Sequence, residues 1–318
     1  MRIDFEEILK KALREDIGSG DVTTRCFLPA SGIFSGLVMA REKGIVCGTA
    51  IAGRAFKLVS KKAVVKVLAK DGTDVKPGSL IMTVCGDRGI LTAERVALNF
   101  LQRLSGIATL TSEFVKKTRN TGVKILDTRK TTPGLRILEK YAVACGGGSN
   151  HRAGLYDMVL IKDNHLAGIR DIRHYGVGAR PCPTDGRRVP AIGQGPAREV
   201  WRERLTLREE LKKRITAIRL KHPKMIIEME AQNPEQVALA VNCGVDIILL
   251  DNMPAPLLKE AIAMIRKAGK KPEIEISGGV NLDTVGKMAK LGPDRISVGR
   301  LTHSAKALDI SFEVRREE

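Results

Sequence analysis

The sequence predicts an α/β protein, most of it a parallel α/β barrel. Beyond about residue 120, short apolar runs alternate with helical stretches; the runs lie at 123–130, 158–163, 225–231, 246–251, 273–279 and 295–300. The last four runs start 21, 27 and 22 residues apart, about one strand plus one helix each. The runs end in charged residues or glycine, and in a barrel of βα units the C-terminal strand ends converge on one mouth.

The first 105 residues read differently. Phe5, Ile8, Leu9, Ala12 and Leu13 recur at helical spacing and predict an amphipathic N-terminal helix, followed by the turn-rich DIGSGDVTT. GLVMARE, AVVKVLAKDG and LIMTVCGD then read as short strands, the last preceded by a Pro-Gly turn. In LTAERVALNFLQRLSGIATLTSEFVKKT, Val96, Leu98, Leu101 and Leu104 recur among polar residues and predict a long helix linking the two regions.

Composition narrows the function. The chain has 318 residues, of which 43% are hydrophobic, enough for a buried core and against wholesale disorder. Its 54 Lys and Arg against 36 Asp and Glu give a net charge of +18, which admits nucleic acid, an anionic surface or small anions as partners. Only seven Phe, three Tyr and one Trp are present, too few for a base-stacking platform. No apolar stretch is long enough for a membrane span and the N-terminus lacks a signal-peptide core, so a cytoplasmic protein is expected. The six cysteines (26, 47, 85, 145, 182 and 243) form no CxxC pair and read as free thiols without a zinc set.

The strand ends carry the chemistry. Asp127, Arg129, Lys130, His151, Arg152 and Lys162 stand in the first half of the barrel, a mainly cationic group suited to a polyanionic small molecule. Glu228, Glu230 and Asp251 stand in the second half and could accept from ribose hydroxyls or hold a divalent cation against a diphosphate. Glu228 and Glu230 are two apart on a strand and share a face. ISGGVNLDTV and ISVGR pass from strand through Gly towards a helix, an arrangement that receives phosphate on exposed N–H groups. No Ser-His-Asp or Cys-His set stands at these ends, which argues against covalent acyl transfer.

EDIGSGDVTT, MAREKGIVCG, LTAERVALNFLQRLSGIAT, ILDTRKTTPGLRILEKYAVACGGGSNHRAGLYDMVLIKDNH, IIEMEAQNPEQ, IILLDN, EISGGVN and ISVGRLTHSAKALDISFEV together resemble the quinolinate phosphoribosyltransferases. The resemblance implies an open parallel α/β barrel (106–303) beside an N-terminal α/β sandwich (1–105) that the chain's end (304–318) rejoins. It further implies transfer of phosphoribosyl from 5-phosphoribosyl 1-diphosphate to quinolinate, with decarboxylation to nicotinate mononucleotide. Arg129, His151, Arg152 and Lys162 would grip the quinolinate carboxylates, and Arg95 would reach into a partner subunit's site, implying a homodimer. Lys130, Glu230 and Asp251 would hold the phosphoribosyl diphosphate and act in the transfer, the two carboxylates taking Mg²⁺ directly or through water. Ser277, Gly278, Gly299 and His303 would receive its 5-phosphate. No organic cofactor is expected.

Residues 168–205 do not match this pattern. They hold eight Arg and no Lys, four Pro and the only Trp, and read as an exposed basic loop or as a lid or oligomer contact beside the barrel mouth. Two other functions compete with the main reading. A paralogue of the fold linked to molybdenum metabolism would use a different acceptor, and the retained cations favour the dicarboxylate over it. A basic nucleic-acid-binding protein would show salt-sensitive duplex affinity.

Overall fold

The computed structural model describes residues 5–174, 206–269 and 271–316. In chain order the first elements are α1 (Glu6–Ile17), α2 (Val22–Phe27), β1 (Phe34–Ala40), β2 (Gly44–Ile45), α3 (Thr49–Val59) and β3 (Val64–Val67). β4 (Asp74–Val75), β5 (Leu80–Gly86), α4 (Gly89–Lys117), β6 (Lys124–Leu126), α5 (Arg136–Cys145) and β7 (Val159–Ile161) follow. Next come α6 (Asp163–His174), α7 (Leu207–Lys221), β8 (Ile227–Ala231), α8 (Pro234–Cys243), β9 (Ile247–Asp251) and α9 (Ala255–Lys267). β10 (Glu273–Ser277), α10 (Val285–Ala289), β11 (Arg295–Ser297), α11 (Arg300–His303) and β12 (Ile310–Arg316) complete the described chain.

Residues 1–157 and 273–318 form one compact unit, residues 158–272 a second. In the first, an antiparallel sheet runs β12-β1-β5-β3, so the chain's last strand pairs with β1 from Phe34 opposite Arg316 to Ala40 opposite Ile310. β1 alternates buried and half-buried residues, as a strand with one face on a core must. The first unit also carries three parallel strands, with β11 between β6 and β10. The second unit carries three more, with β8 between β7 and β9. The α/β class with parallel strands and a separate antiparallel sheet is the one the sequence predicts.

Local sequence explains the boundaries. α1 buries Leu9 and Leu13, two of the five residues that predict it. The DVTT end of the turn-rich stretch is helical instead, because the Asp21 carboxylate accepts from Thr24 N–H at 2.9 Å and caps α2. α8 opens with an Asn233 cap and Pro234 in its first turn and closes on Gly244 in the left-handed region at φ +70°. An aspartate ahead of a strand recurs in both units: Asp246 accepts from Ile227 N–H at 2.9 Å and Asp294 from Ile274 N–H at 2.7 Å. Each anchors the start of the neighbouring strand.

α4, with fourteen buried residues, is the spine of the first unit. A Cβ added to Gly106 on this helix would lie 1.9 Å from the Lys306 carbonyl oxygen, so only glycine lets the returning chain approach. Arg103, one turn earlier, donates to Glu139 at 2.8 Å, to the Ala305 carbonyl at 3.0 Å and to the Thr302 carbonyl.

Asp127, which the sequence places among the charges of the mouth, is instead fully buried beneath the loop it begins. It faces the buried Lys140 of α5 at 2.5 Å, and Lys140 also donates to the His151 carbonyl at 2.9 Å. Burial pushes the Asp127 carboxyl above its usual range against the opposing pull of Lys140. Removing one member of such a pair strands a buried charge, so Lys140→Met should cost about 3–5 kcal/mol in urea denaturation. Adding Asp127→Leu to it should recover most of that loss. Gly106→Ala should also lower the denaturation midpoint, through the Lys306 clash.

Candidate active site

β6 ends at Leu126, and the chain then forms the loop that carries Arg129 and Lys130. Thr132 at the far side of this loop donates to Glu139 through N–H (3.1 Å) and hydroxyl (2.8 Å), and Arg136 donates to the Thr131 hydroxyl at 3.0 Å. Buried Glu139, already bound by Arg103, thereby fastens the loop to α5. Held in this way, the Arg129 side chain has a buried Nε with no hydrogen-bond partner among the described residues. A buried guanidinium N–H without an acceptor is costly unless an anion arrives to accept from it.

His151 is set by Asp127 and Lys140. Its N–H donates to Asp127 at 2.8 Å, its ring Nδ1 accepts from Arg152 N–H at 2.7 Å, and its Nε2 lies 3.5 Å from the Glu275 carboxylate. With Nδ1 accepting, the neutral ring carries its proton on Nε2, facing Glu275. Glu275 is fully buried in β10, with Arg295 Nε 4.0 Å away. Glu275 is not among the candidates the strand ends suggest, although EIEIS repeats the alternating carboxylates of EME on β8. That pattern was the available signal.

Lys130, Gly299 and His303 come together. A Cβ on Gly299 would sit 3.1 Å from Lys130 Cδ and 3.3 Å from His303 Nε2. Gly299 has an ordinary helical φ of −62°, so it is close approach, not backbone freedom, that asks for glycine here. The Thr302 hydroxyl donates to the Lys130 carbonyl at 2.7 Å, and the Ser304 hydroxyl lies 2.7 Å from His303 Nδ1. Ser277 ends β10 and is followed by Gly278 and Gly279 at φ +89° and +60°, a turn that L side chains rarely adopt. Arg95, on α4, has a side chain 60% exposed and near Glu94 at 3.9 Å, which leaves it reaching outward from this chain.

In the second unit, Lys162 follows β7 and donates to Glu230 of β8 at 2.7 Å. Two residues that the sequence assigns to different substrates therefore neutralise one another here. Glu230 is 7% exposed, and its other oxygen accepts from Gln232 at 3.4 Å. Asp251, at the end of β9, accepts from Asn252, whose φ of +54° turns the chain sharply after the strand. These are hard oxygen donors at adjacent strand ends, a donor set that fits Mg²⁺. Glu228 is fully buried in β8.

Of the residues 168–205 singled out by the sequence, 168–174 continue α6 and the others lie outside the described residues. α7 then opens with a capping box in which Thr206 and Glu209 exchange hydrogen bonds. Gly299→Ala should leave the melting temperature unchanged while displacing Lys130 and His303. Steady-state kinetics should show kcat/KM for the phosphorylated substrate falling roughly ten- to a hundred-fold.

Comparison with known proteins identifies the family of the chain. The family model described as quinolinate phosphoribosyl transferase, C-terminal domain, matches residues 107–180 and 203–313, and the N-terminal domain model matches residues 21–105. The break at 181–202 falls inside the Arg-rich segment. The chain is 36% identical over 313 residues to a probable nicotinate-nucleotide pyrophosphorylase [carboxylating] of Bacillus subtilis, covering 98% of this chain and 94% of that one. It is 36% identical to one of Methanocaldococcus jannaschii, covering 98% and 97%. The crystal structure of NadC from Streptococcus pyogenes superposes with a TM-score of 0.82 at 33% identity, covering all of both chains. By both domains and over nearly its whole length, the chain belongs to the quinolinate phosphoribosyltransferase family.

Proposed function

We propose that this chain transfers the phosphoribosyl group of 5-phosphoribosyl 1-diphosphate to quinolinate with loss of CO₂, giving nicotinate mononucleotide and pyrophosphate for NAD biosynthesis. Beyond family membership, the observation that carries this reading is the buried, unpartnered Nε of Arg129 on a loop fastened by Glu139. It is a donor prepared for an anionic substrate. By the resemblance to the family, Arg129, His151, Arg152 and Lys162 bind the dicarboxylate. Lys130, Ser277, Gly278, Gly299 and His303 take the phosphoribosyl diphosphate and its 5-phosphate.

The pyridine nitrogen forms a bond to ribose C1 as the C1–O bond to pyrophosphate breaks, and positive charge develops on the sugar ring as in glycoside cleavage. Glu230 and Asp251, carboxylates already fixed on strands, stabilise that charge. Mg²⁺ held by the same two carboxylates, directly or through water, would offset charge on the departing diphosphate. The C2 carboxylate then leaves as CO₂, the electron pair of the broken C–C bond stays on C2 beside the positively charged ring nitrogen that stabilises it, and C2 takes a proton. That cationic nitrogen makes an organic cofactor unnecessary.

Lys162 has a second task. Its contact with Glu230 gives an almost buried carboxylate a cationic partner in the absence of substrate, and the sugar cation that forms later replaces part of that interaction. The active protein is a homodimer in which Arg95 serves the partner's site. The reaction takes place in the cytoplasm on small molecules; no helix among the described residues is long and apolar enough to cross a membrane.

Omission assays test this reading. Nicotinate mononucleotide and CO₂ should form only when quinolinate, 5-phosphoribosyl 1-diphosphate and Mg²⁺ are all present; turnover unaffected by leaving out quinolinate would refute it. Arg129→Ala and Lys162→Ala should each lower kcat/KM by at least about a hundred-fold, with circular dichroism and melting temperature preserved. Near-normal turnover by either variant would remove that residue from the site.

A further inference from the structure

Cys47 and Cys145 lie 98 positions apart in sequence but meet inside the first unit. Cys47 stands between β2 and α3 and is fully buried; Cys145 is the last residue of α5 and is partly exposed. Their sulfurs and a carboxylate oxygen of Asp71 all lie within 4.8 Å of one another. The Ser105 hydroxyl fixes Cys47 from both sides, accepting from its N–H at 2.9 Å and donating to its carbonyl at 3.2 Å.

Two thiols and a carboxylate suggest either a thiophilic metal or a redox pair, and Asp71 decides between them. Both of its oxygens are already engaged: Oδ1 accepts from the Thr49 N–H (3.0 Å) and hydroxyl (2.7 Å), and Oδ2 from Gly48 N–H (3.0 Å) and the Tyr141 hydroxyl (2.8 Å). Four hydrogen bonds occupy the lone pairs that a metal would need. Asp71 is a structural acceptor, and two sulfurs alone are an incomplete zinc set. Cys145 is partly exposed, and a cavity of about 110 Å³ lined by Gly48, Asp71 and Tyr141 lies nearby.

We propose that Cys47 and Cys145 form a redox-active dithiol that is converted to an intramolecular disulfide by oxidised low-molecular-weight disulfides. The Cys145 thiolate attacks one sulfur of the external disulfide, forming a mixed disulfide and releasing one thiolate. Cys47 then loses its proton and attacks the Cys145 sulfur, closing the protein disulfide and releasing the second thiol. Two protein thiols are oxidised by two electrons, and one external disulfide is reduced to two thiols.

The division of roles follows from the surroundings. Cys145 is the accessible member, and its contact with the Cys47 thiol pulls it below the usual thiol range against burial. Cys47, fully buried, is pushed up by its contact with Cys145 and by burial, which suits it to the resolving role. A partly exposed nucleophile backed by a buried resolving thiol is the order that suits disulfide exchange.

The test uses the full chain carrying Cys26→Ser, Cys85→Ser and Cys182→Ser, which leaves Cys47, Cys145 and Cys243. After incubation with oxidised glutathione, acid quenching and alkylation, mass spectrometry of the digest should show a Cys47–Cys145 linked peptide, reversed by dithiothreitol, with Cys243 alkylated. Adding Cys47→Ser should leave glutathione trapped on Cys145, and adding Cys145→Ser should leave Cys47 unmodified. Matching melting curves confirm that the variants are folded. Both thiols remaining fully alkylatable, a linkage to Cys243, or glutathione attaching first to Cys47 would each overturn the proposal. So would protection of the pair from alkylation by Zn²⁺ alone without oxidant, which would make it a metal site.

Discussion

Asp127 and Lys140 give up nearly all their water to face one another at 2.5 Å, and much of the first unit's chemistry is arranged around that contact. Desolvating two ions is expensive, and their mutual attraction repays it only when the remaining lone pairs and protons are also used. Here they are: Asp127 accepts from His151 N–H as well, and Lys140 donates to the His151 carbonyl. A single ion pair thus joins the end of β6, the middle of α5 and the start of the loop that carries His151 and Arg152. Arg129 and Lys130 follow Asp127 by two and three residues, so their position depends on the same anchor.

The network of Arg103, Glu139 and Thr132 supports the other end of that loop. Its members contact one another across three stretches of chain, and Arg103 continues to the carbonyls of Thr302 and Ala305 beside His303. The loop is fixed at both ends by buried charges while Arg129 keeps an open donor. Rigid support around an unsatisfied group is how a binding site stores affinity for a ligand that has not yet arrived.

Charge is organised differently in the second unit. Lys162 and Glu230 neutralise each other, so neither presents a bare charge there before substrate binds. The net charge of +18 is consequently a poor guide to the site, because some cations that define it are already paired with buried carboxylates and many others lie on the surface. The Cys47–Cys145 pair makes a related point. Two isolated cysteines in the sequence become neighbours because α5 ends where β2 turns into α3.

The sequence by itself determined the class of the fold, since the strand-plus-helix spacing and the alternation of β1 are local properties of the chain. It also determined which residue types gather after the parallel strands, and its long DTRKTTPG to KDNH block was specific enough to indicate the family. Tertiary structure alone decided which of those charges are free to act. Asp127 looks like a mouth residue until Lys140, thirteen positions on, is seen to bury it; Glu275 looks like a strand residue until His151 is seen facing it. Burial and pairing depend on contacts between residues far apart in the chain, and no local pattern records them.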